Sequence, residues 1–132
     1  MNALNVKSAD ELIALFRNST TGSVNVEINI LNDLDFSNTD LVLPLGAKSK
    51  TICTPYGGVL HGNGHLIKGL VINSQTQTES SDAGLFCALE DAIVMNLVFD
   101  SSCIFEGKNA GALGAVVRTS LSIITLRTML VF

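Results

Sequence analysis

Two histidines in the middle of the chain, His61 and His65, flank the sequence Gly62-Asn63-Gly64. The glycines exclude a helix here and predict a tight turn between two short strands, across which the imidazole rings could approach one another. Two such nitrogens could bind a metal ion, but the sequence implies no third ligand. We therefore predict no metal site and interpret both histidines as solvent-facing turn residues.

The second candidate group is acidic and contains Asp33, Asp35 and Asp40. Because alternate residues of a strand share one face, the D-x-D pair could form a catalytic or calcium-binding site. However, no calcium-loop spacing follows, and acids at strand ends usually accept backbone N–H groups. We interpret these residues as structural, and we assign no catalytic, cofactor-binding or metal-binding residue and no cofactor.

The three cysteines, Cys53, Cys87 and Cys103, are odd in number and contain no C-x-x-C pair. This pattern indicates neither a zinc site nor a disulfide framework. We expect the cysteines to behave as small buried apolar residues. A Cys87–Cys103 bridge stays open if the compartment is oxidising, so the sequence leaves disulfide formation undecided.

The composition is that of one folded domain without a nucleic-acid surface. The 132 residues are 47% hydrophobic and only 15% charged, with a formal net charge of −4 and no basic cluster. A disordered chain would have the opposite balance, and a nucleic-acid partner would need clustered Lys and Arg. The acidic N-terminus is unlike a secretion signal, and Arg118 and Arg127 interrupt the apolar segment 111–132, so we predict no targeting or membrane segment.

A short helix is predicted at the N-terminus. Ser8 and Glu11 form the S-x-x-E capping box, and apolar residues at helical spacing continue to Phe16, with an end near Asn18. A helix of two to three turns does not persist alone. We expect it to cap the open end of the fold and to cover edge strands.

The remainder of the chain repeats itself at a step of 27 residues. Segment 66–72 returns as 93–99, and Ala83-Gly84 returns as Ala110-Gly111. Matched apolar positions at this step are typical of a parallel β-helix, in which each repeat is one coil. We predict an all-β fold of this kind, a β-solenoid with one N-terminal capping helix.

The predicted domain has three parts, with residues 1–20 as the capping helix, 21–117 as the coils and 118–132 as an atypical tail. The polar segment Ser74 to Asp82 interrupts the apolar rhythm and predicts a surface loop. The bare apolar end of the chain leads us to expect a fragment of a longer solenoid, because a closed core is usually capped.

A leucine-rich repeat is the alternative fold. Segments 67–72 and 94–99 both satisfy its L-x-x-L-x-L core. The asparagine expected three places later is Gln75 in one unit and Ser102 in the other, which weakens this alternative.

Several segments together resemble the GLUG-motif proteins. In chain order they read I-L-N-D-L-D-F-S, P-L-G, Y-G-G-V-L-H-G-N-G-H-L-I-K-G-L-V-I, A-G-L-F and I-V-M-N-L-V-F. The resemblance spans Val6 to Val117 and departs at Cys87, where a glycine is usual, and in the tail. It implies a right-handed parallel β-helix similar to that of pectate lyases, in an adhesin-like protein of the cell surface or a secreted one.

The leading functional hypothesis is a non-enzymatic structural or adhesive module that contacts host or matrix proteins or glycans, with further repeats in a longer parent chain. The alternative is a polysaccharide lyase or glycoside hydrolase fragment, since glycosidases need two carboxylates across a sugar and Asp33, Asp35 and Asp40 are the acids available. A third hypothesis is a truncated gene product, which predicts poor solubility and an exposed apolar C-terminal edge.

Overall fold

The computed structural model describes residues 3–19, 22–48, 52–73, 82–106, 109–110, 117–118, 121–126 and 130–131. These ranges contain one helix, α1 (Ala9–Arg17), and fourteen short strands. The strands are β1 Leu4–Val6, β2 Ile28–Ile30, β3 Leu34–Asp35, β4 Val59–His61, β5 Leu66–Lys68, β6 Val71–Asn73, β7 Asp82–Ala83, β8 Leu89–Glu90, β9 Ile93–Phe99, β10 Ile104–Glu106, β11 Asn109–Ala110, β12 Val117–Arg118, β13 Leu121–Leu126 and β14 Leu130–Val131.

The strands form one large sheet and three small ones, and every strand pairing is parallel. The large sheet has seven strands in the order β1-β2-β4-β9-β5-β3, and β13 also pairs with β9. The small sheets are β14-β10-β6, β11-β7 and β12-β8. The long strand β9 therefore joins β4, β5 and β13 into one surface.

The prediction of an all-β, right-handed parallel β-helix is wrong. The fold has mixed α/β character, because α1 and the parallel sheet share one core. Phe16 of the helix lies 5.9 Å from the Tyr56 ring and 5.6 Å from the Phe86 ring, measured between centroids. All three side chains are buried, so the helix contributes to the core.

The assumed 27-residue register also fails between β5 and β9 of the large sheet. Leu66 lies beside Val98 and not beside Ile93, while the partner of Ile93 is Val59, 34 positions earlier in the chain. A leucine-rich repeat would place Phe99 beside Ile72, yet Phe99 lies beside Ile67. This contact contradicts the alternative fold as well.

The 27-residue step is confirmed at two places: Ala110 lies beside Ala83, and Ile124 and Leu126 of β13 lie beside Leu97 and Phe99 of β9. The polar segment Ser74 to Asp82 lies in sequence within the longer step, from Leu66 to Val98, and outside the shorter one, from Ala83 to Ala110. Residues 74–81 of this predicted loop lie outside the described ranges, and Asp82 already belongs to β7.

Helix α1 begins and ends where the sequence predicts. The Ser8 hydroxyl accepts the Glu11 N–H at 3.2 Å, and Asn18 is the C-cap residue. The Glu11 carboxylate accepts the N–H of Lys7 at 2.6 Å instead of that of Ser8, so the capping box closes one residue early. One face of the helix is buried and consists of Ala9, Leu12, Ile13 and Phe16.

The Gly62-Asn63-Gly64 turn does not make a hairpin. Strands β4 and β5 on either side of it pair with β9 and not with each other. Asn63 adopts a φ of 55°, and Asn96 of β9 adopts the same value. The backbones are joined here by hydrogen bonds from Gly62 N to Met95 O (2.7 Å) and from Gly64 N to Asn96 O (2.8 Å).

A disulfide joins Cys53 to Cys87, while Cys103 is a free and buried thiol. The open possibility of a Cys87–Cys103 bridge is therefore wrong, and only Cys87 and Cys103 are buried as expected. The bridge connects the segment around Thr54 to the core. The same segment is held by a hydrogen bond from Thr54 N–H to Gly46 O at 2.8 Å.

Candidate functional site

The outer face of the large sheet carries the first predicted histidine. Ile28 of β2 and Leu60 of β4 are neighbours in register and point into the core. Their chain neighbours Glu27 and His61 therefore point outward. His61 Nε2 lies 2.7 Å from Glu27 Oε2, with side chains 30% and 42% exposed in that order.

The second histidine has a different carboxylate partner. His65 Nδ1 lies 3.2 Å from Asp33 Oδ1. The same oxygen accepts the backbone N–H of Leu66 at 2.9 Å. This backbone hydrogen bond is the main reason that the Asp33 pKa lies below its usual value, and His65 lowers it further.

The two imidazole rings contact different carboxylates, His61 that of Glu27 and His65 that of Asp33. The turn is fixed to β2 by Asn63, whose side-chain amide donates to Ile30 O at 3.0 Å. Each histidine is thereby held beside its own acid. Within the described ranges, no group of three or more His, Cys, Asp or Glu residues is placed to hold a metal ion.

Two Asp-x-Ser turns border this surface. Asp35 Oδ1 accepts the N–H of Ser37 at 2.9 Å and its hydroxyl at 2.6 Å. Asp100 Oδ2 accepts the hydroxyl of Ser102 at 2.8 Å. Asp35 lies beside Lys68 in the β3–β5 register, and the Ser37 hydroxyl is the largest cause of the lowered Asp35 pKa, with Lys68 a smaller one.

These residues form a continuous surface that we call the polar face. It consists of the outward-pointing side chains of β2 to β5 and their flanking turns, namely Glu27, Asn29, Asp33, Asp35, His61, His65 and Lys68. All of them are partly or fully exposed. Parallel strand pairing holds the backbones of its strand residues, namely Asn29, Asp35, His61 and Lys68.

Asp40, the third predicted acid, does not lie with the other two. Its Oδ1 accepts a hydrogen bond from Arg17 Nη2 at 2.9 Å, and Arg17 is the main cause of the lowered Asp40 pKa. Asp33, Asp35 and Asp40 are thus all ionised at neutral pH. A general acid needs a raised pKa, so none of the three suits that role. Each could still act as a base or bind a cationic group.

The Arg17–Asp40 pair lies at a cleft between α1 and the segment that follows Asp40. The cleft has a volume of about 280 Å³, and apolar side chains that include Ile13 and Leu45 form much of its lining. Lys48 lies at its edge and donates from Nζ to Phe16 O at 2.9 Å, at the C-terminal end of the helix. Asp40 and Lys48 thus each bond to a residue of α1, Asp40 to Arg17 and Lys48 to Phe16.

The members of the polar face that sequence reasoning missed are Lys68, Asn29 and, as the partner of His61, Glu27. The signal for Glu27 was present, because Glu27 occupies a polar position in the alternating segment 24–30. The alternation places it on the outer face, but it does not reveal that β4 lies next to β2. The Asp-x-Ser sequence at 35–37 and 100–102 is a second signal, since both copies form the same turn.

In the described part of the chain, no helix has both the length and the apolar character needed to cross a bilayer, and α1 itself has nine residues. Comparison with known proteins yields no family model, no curated protein and no solved structure that is similar to this chain.

Proposed function

We propose that this chain is a non-enzymatic adhesive module whose polar face binds a partner protein. The observation that carries the proposal is the pair of fixed histidine–carboxylate contacts, His61 with Glu27 and His65 with Asp33, side by side on one exposed sheet. Side chains already held in place lose little conformational entropy on binding. A face whose side chains are held by hydrogen bonds in this way is suited to binding a partner.

The charges of the polar face support selective binding. Three carboxylates (Glu27, Asp33 and Asp35) alternate with Lys68 and two histidines, and this arrangement favours a surface with complementary charge. Because acids outnumber Lys68, we expect the partner to present lysine or arginine side chains. The net charge of −4 favours approach by the same kind of partner.

Two features favour a protein over a sugar as the partner. Ligand pockets for small molecules are concave and rich in aromatic side chains, whereas the polar face is a sheet surface. The aromatic rings in the described ranges are all buried, namely Phe16, Phe36, Tyr56, Phe86, Phe99 and Phe105. None of them is available to stack on a sugar ring.

The disulfide supports the cell-surface or secreted location that the GLUG resemblance implies. Disulfides such as Cys53–Cys87 persist in oxidising compartments and are rare in the cytosol. We propose that the module acts at a cell surface or after secretion, as the resemblance to adhesin-like proteins suggests.

A polysaccharide lyase or glycoside hydrolase is the second candidate. The observation in its favour is that Asp33 and Asp35 stand on one exposed face, with His65 bonded to Asp33. The lowered pKa values of both acids weigh against a general acid. Release of reducing or unsaturated ends from pectin-like polymers, lost in Asp33→Ala with the fold intact, would favour this candidate over adhesion.

The proposal is tested by binding of the full chain to a panel of purified matrix and cell-surface proteins, with a glycan array in parallel. For each protein that binds, Asp35→Lys on the polar face is compared with Asp10→Lys, which makes the same charge change at an exposed position of α1. We expect the first variant to lose binding and the second to retain it. The proposal would be contradicted if both variants changed binding equally, if the chain bound only glycans, or if it bound no protein of the panel.

A further inference from the structure

The chain folds back on itself shortly after the segment that lines the cleft at α1. Thr54 N–H donates to Gly46 O at 2.8 Å, and Lys48 N–H donates to Ile52 O at 2.9 Å. Both hydrogen bonds join two parts of the same short segment, so they do not attach it to the remainder of the protein. We call this segment the hairpin and define it by its described residues, 46–48 and 52–54.

The hairpin is attached to the end of α1 by the side chain of Lys48. Its Nζ donates to Phe16 O at 2.9 Å. Arg17 O and Ser19 O accept from the same nitrogen at 3.3 Å each. The last carbonyl groups of a helix have no partner within it, and a positive charge there also faces the negative end of the helix dipole. The hairpin therefore caps the C-terminal end of α1.

The second attachment is the Cys53–Cys87 bridge, whose two cysteines differ in access to solvent. Cys53 is exposed, whereas Cys87 is only 5% exposed. The base of the hairpin covers the Cys87 sulfur, because Thr54 O lies 3.5 Å from it and a Cβ at Gly46 would lie 2.9 Å from it. Thiol attack on a disulfide depends on access and on which sulfur is attacked. The Cys53 side of the bridge is therefore the accessible one.

We propose that Cys53 is a thiol–disulfide exchange site, and that exchange there releases the hairpin from α1. The thiolate of a small molecule or of a partner protein attacks the Cys53 sulfur and forms a new S–S bond with it. The Cys53–Cys87 bond breaks, and the Cys87 sulfur leaves with the electron pair and takes a proton from water. Thr54 O is in place to accept the new S–H. One disulfide replaces another, so the step consumes no oxidant or reductant.

Release of the hairpin follows from its small number of attachments. Once the bridge is open, the hydrogen bonds from Lys48 remain to hold the hairpin against α1, and such bonds contribute modestly to stability. Residues 46–48 line part of the cleft at α1 together with Ile13 and Leu45, which are buried. Exchange at Cys53 therefore opens the cleft. None of these residues belongs to the polar face, so the inference does not depend on the proposed function.

The site of exchange is tested with reduced glutathione as the thiol. The folded full chain is incubated with it, the reaction is stopped with acid, and the mixed disulfide is located by peptide mass spectrometry. We expect glutathione on Cys53 in at least about tenfold excess over Cys87. A yield on Cys87 that is equal or greater, or exchange that occurs only in denaturant, would overturn the proposal.

Two matched variants check the difference in access without the bridge. Cys87→Ser leaves the Cys53 thiol and Cys53→Ser leaves the Cys87 thiol, while both lose the same bridge and keep Cys103 as a common background. With oxidised glutathione, the Cys53 thiol should react at least about tenfold faster than the Cys87 thiol. Equal rates would contradict the assignment of Cys53 as the accessible side.

Hydrogen exchange tests the release of the hairpin. Glutathione bound to Cys53 in the Cys87→Ser variant gives a stable form of the exchanged protein, which is compared with the bridged wild type. We expect faster exchange in the hairpin and in the last turn of α1, with β2, β4 and β9 unchanged. Unchanged exchange in the hairpin would overturn the release, and faster exchange throughout the chain would show unfolding instead. The control is Lys48→Ala with the bridge intact, in which the hairpin must stay protected; an equal loss of protection there would show that the bridge does not hold it.

Discussion

His61 Nε2 and Glu27 Oε2 lie 2.7 Å apart although the residues are separated by 34 positions in the sequence. The contact exists because β2 and β4 are neighbours in the large sheet, with Asn29 beside His61 in register. It connects the fold to the proposed function, since the strand pairing that builds the core also fixes the spacing of the polar face.

We expect this contact to contribute little to stability. Both side chains are partly exposed, and ion pairs in such positions are usually worth about 0–1 kcal/mol. A double-mutant cycle with Glu27→Gln and His61→Ala, followed by urea unfolding, should give a coupling free energy in this range. A coupling well above it would mean that the pair belongs to the structural core and not to a binding face.

Acid should destabilise the protein through its fixed carboxylates. The pKa values of Asp33 and Asp35 are lowered, chiefly by hydrogen bonds from Leu66 N–H and from the Ser37 hydroxyl. Their stabilising effect is complete above the unfolded-state pKa of about 4 and is lost as the pH falls through the lower folded values. Asp33→Asn should therefore flatten the decline of the unfolding free energy below about pH 4, measured by urea unfolding at several pH values. An unchanged decline would contradict the assignment.

Alkali should destabilise the protein through Tyr56, the single tyrosine of the chain. Burial raises its pKa well above the usual value, and its hydroxyl donates to Val26 O at 2.9 Å. The stabilisation is complete below the unfolded-state pKa of about 10 and is lost as the pH rises toward the folded value. Because the chain has no tryptophan, absorbance at the tyrosinate band reports this residue alone. Ionisation should coincide with unfolding, and a normal titration of the native protein would contradict the burial.

Removing the Cys53–Cys87 bridge should destabilise the fold. A disulfide that closes a loop of 34 residues typically contributes about 2–4 kcal/mol. Cys53→Ser should lower the free energy of unfolding by a matching amount, measured by urea unfolding. The matched control is Cys103→Ser, which leaves the bridge intact.

Thiol counting checks the bridge independently. The unreduced protein in denaturant should show one reactive thiol, from Cys103, and the reduced protein should show three, the total in the sequence. Three thiols before reduction would contradict the bridge.

Two glycines of one turn should differ in their tolerance of alanine. A Cβ at Gly62 would lie 2.5 Å from Asn96 O, so Gly62→Ala should force β4 and β9 apart and cost about 2–3 kcal/mol. Gly64 has open space around it but a φ of +76°, so Gly64→Ala should cost only about 1 kcal/mol. Thermal unfolding of both variants checks the order, and a reversed order would contradict the close pairing at Gly62.

The sequence predicts local structure well in this chain. The helix from Ala9 to Arg17 follows from its capping residues and apolar spacing, and the buried positions Ile28, Leu34 and Phe36 follow from strand alternation. These features depend on neighbours in sequence, where spacing alone sets geometry.

The long-range arrangement could not be predicted in the same way. The apolar sequences of β5 and β9 match at a 27-residue step, but β4 is equally apolar and pairs with the segment around Val94. The observed arrangement also includes the packing of Phe16 against Tyr56 and Phe86, which are far from it in sequence. The Cys53–Cys87 bridge is likewise a long-range contact, between residues 34 positions apart, that sequence spacing alone does not reveal.

Hydrogen exchange on the complex with a partner protein tests the central claim most directly. The measurement compares the free and bound chain, using a partner found in the binding panel. We predict that added protection is confined to the polar face, in segments 26–35 and 59–68, with little change in α1 (Ala9–Arg17). Protection centred on the cleft at α1, with segments 26–35 and 59–68 unchanged, would contradict the polar face as the binding surface.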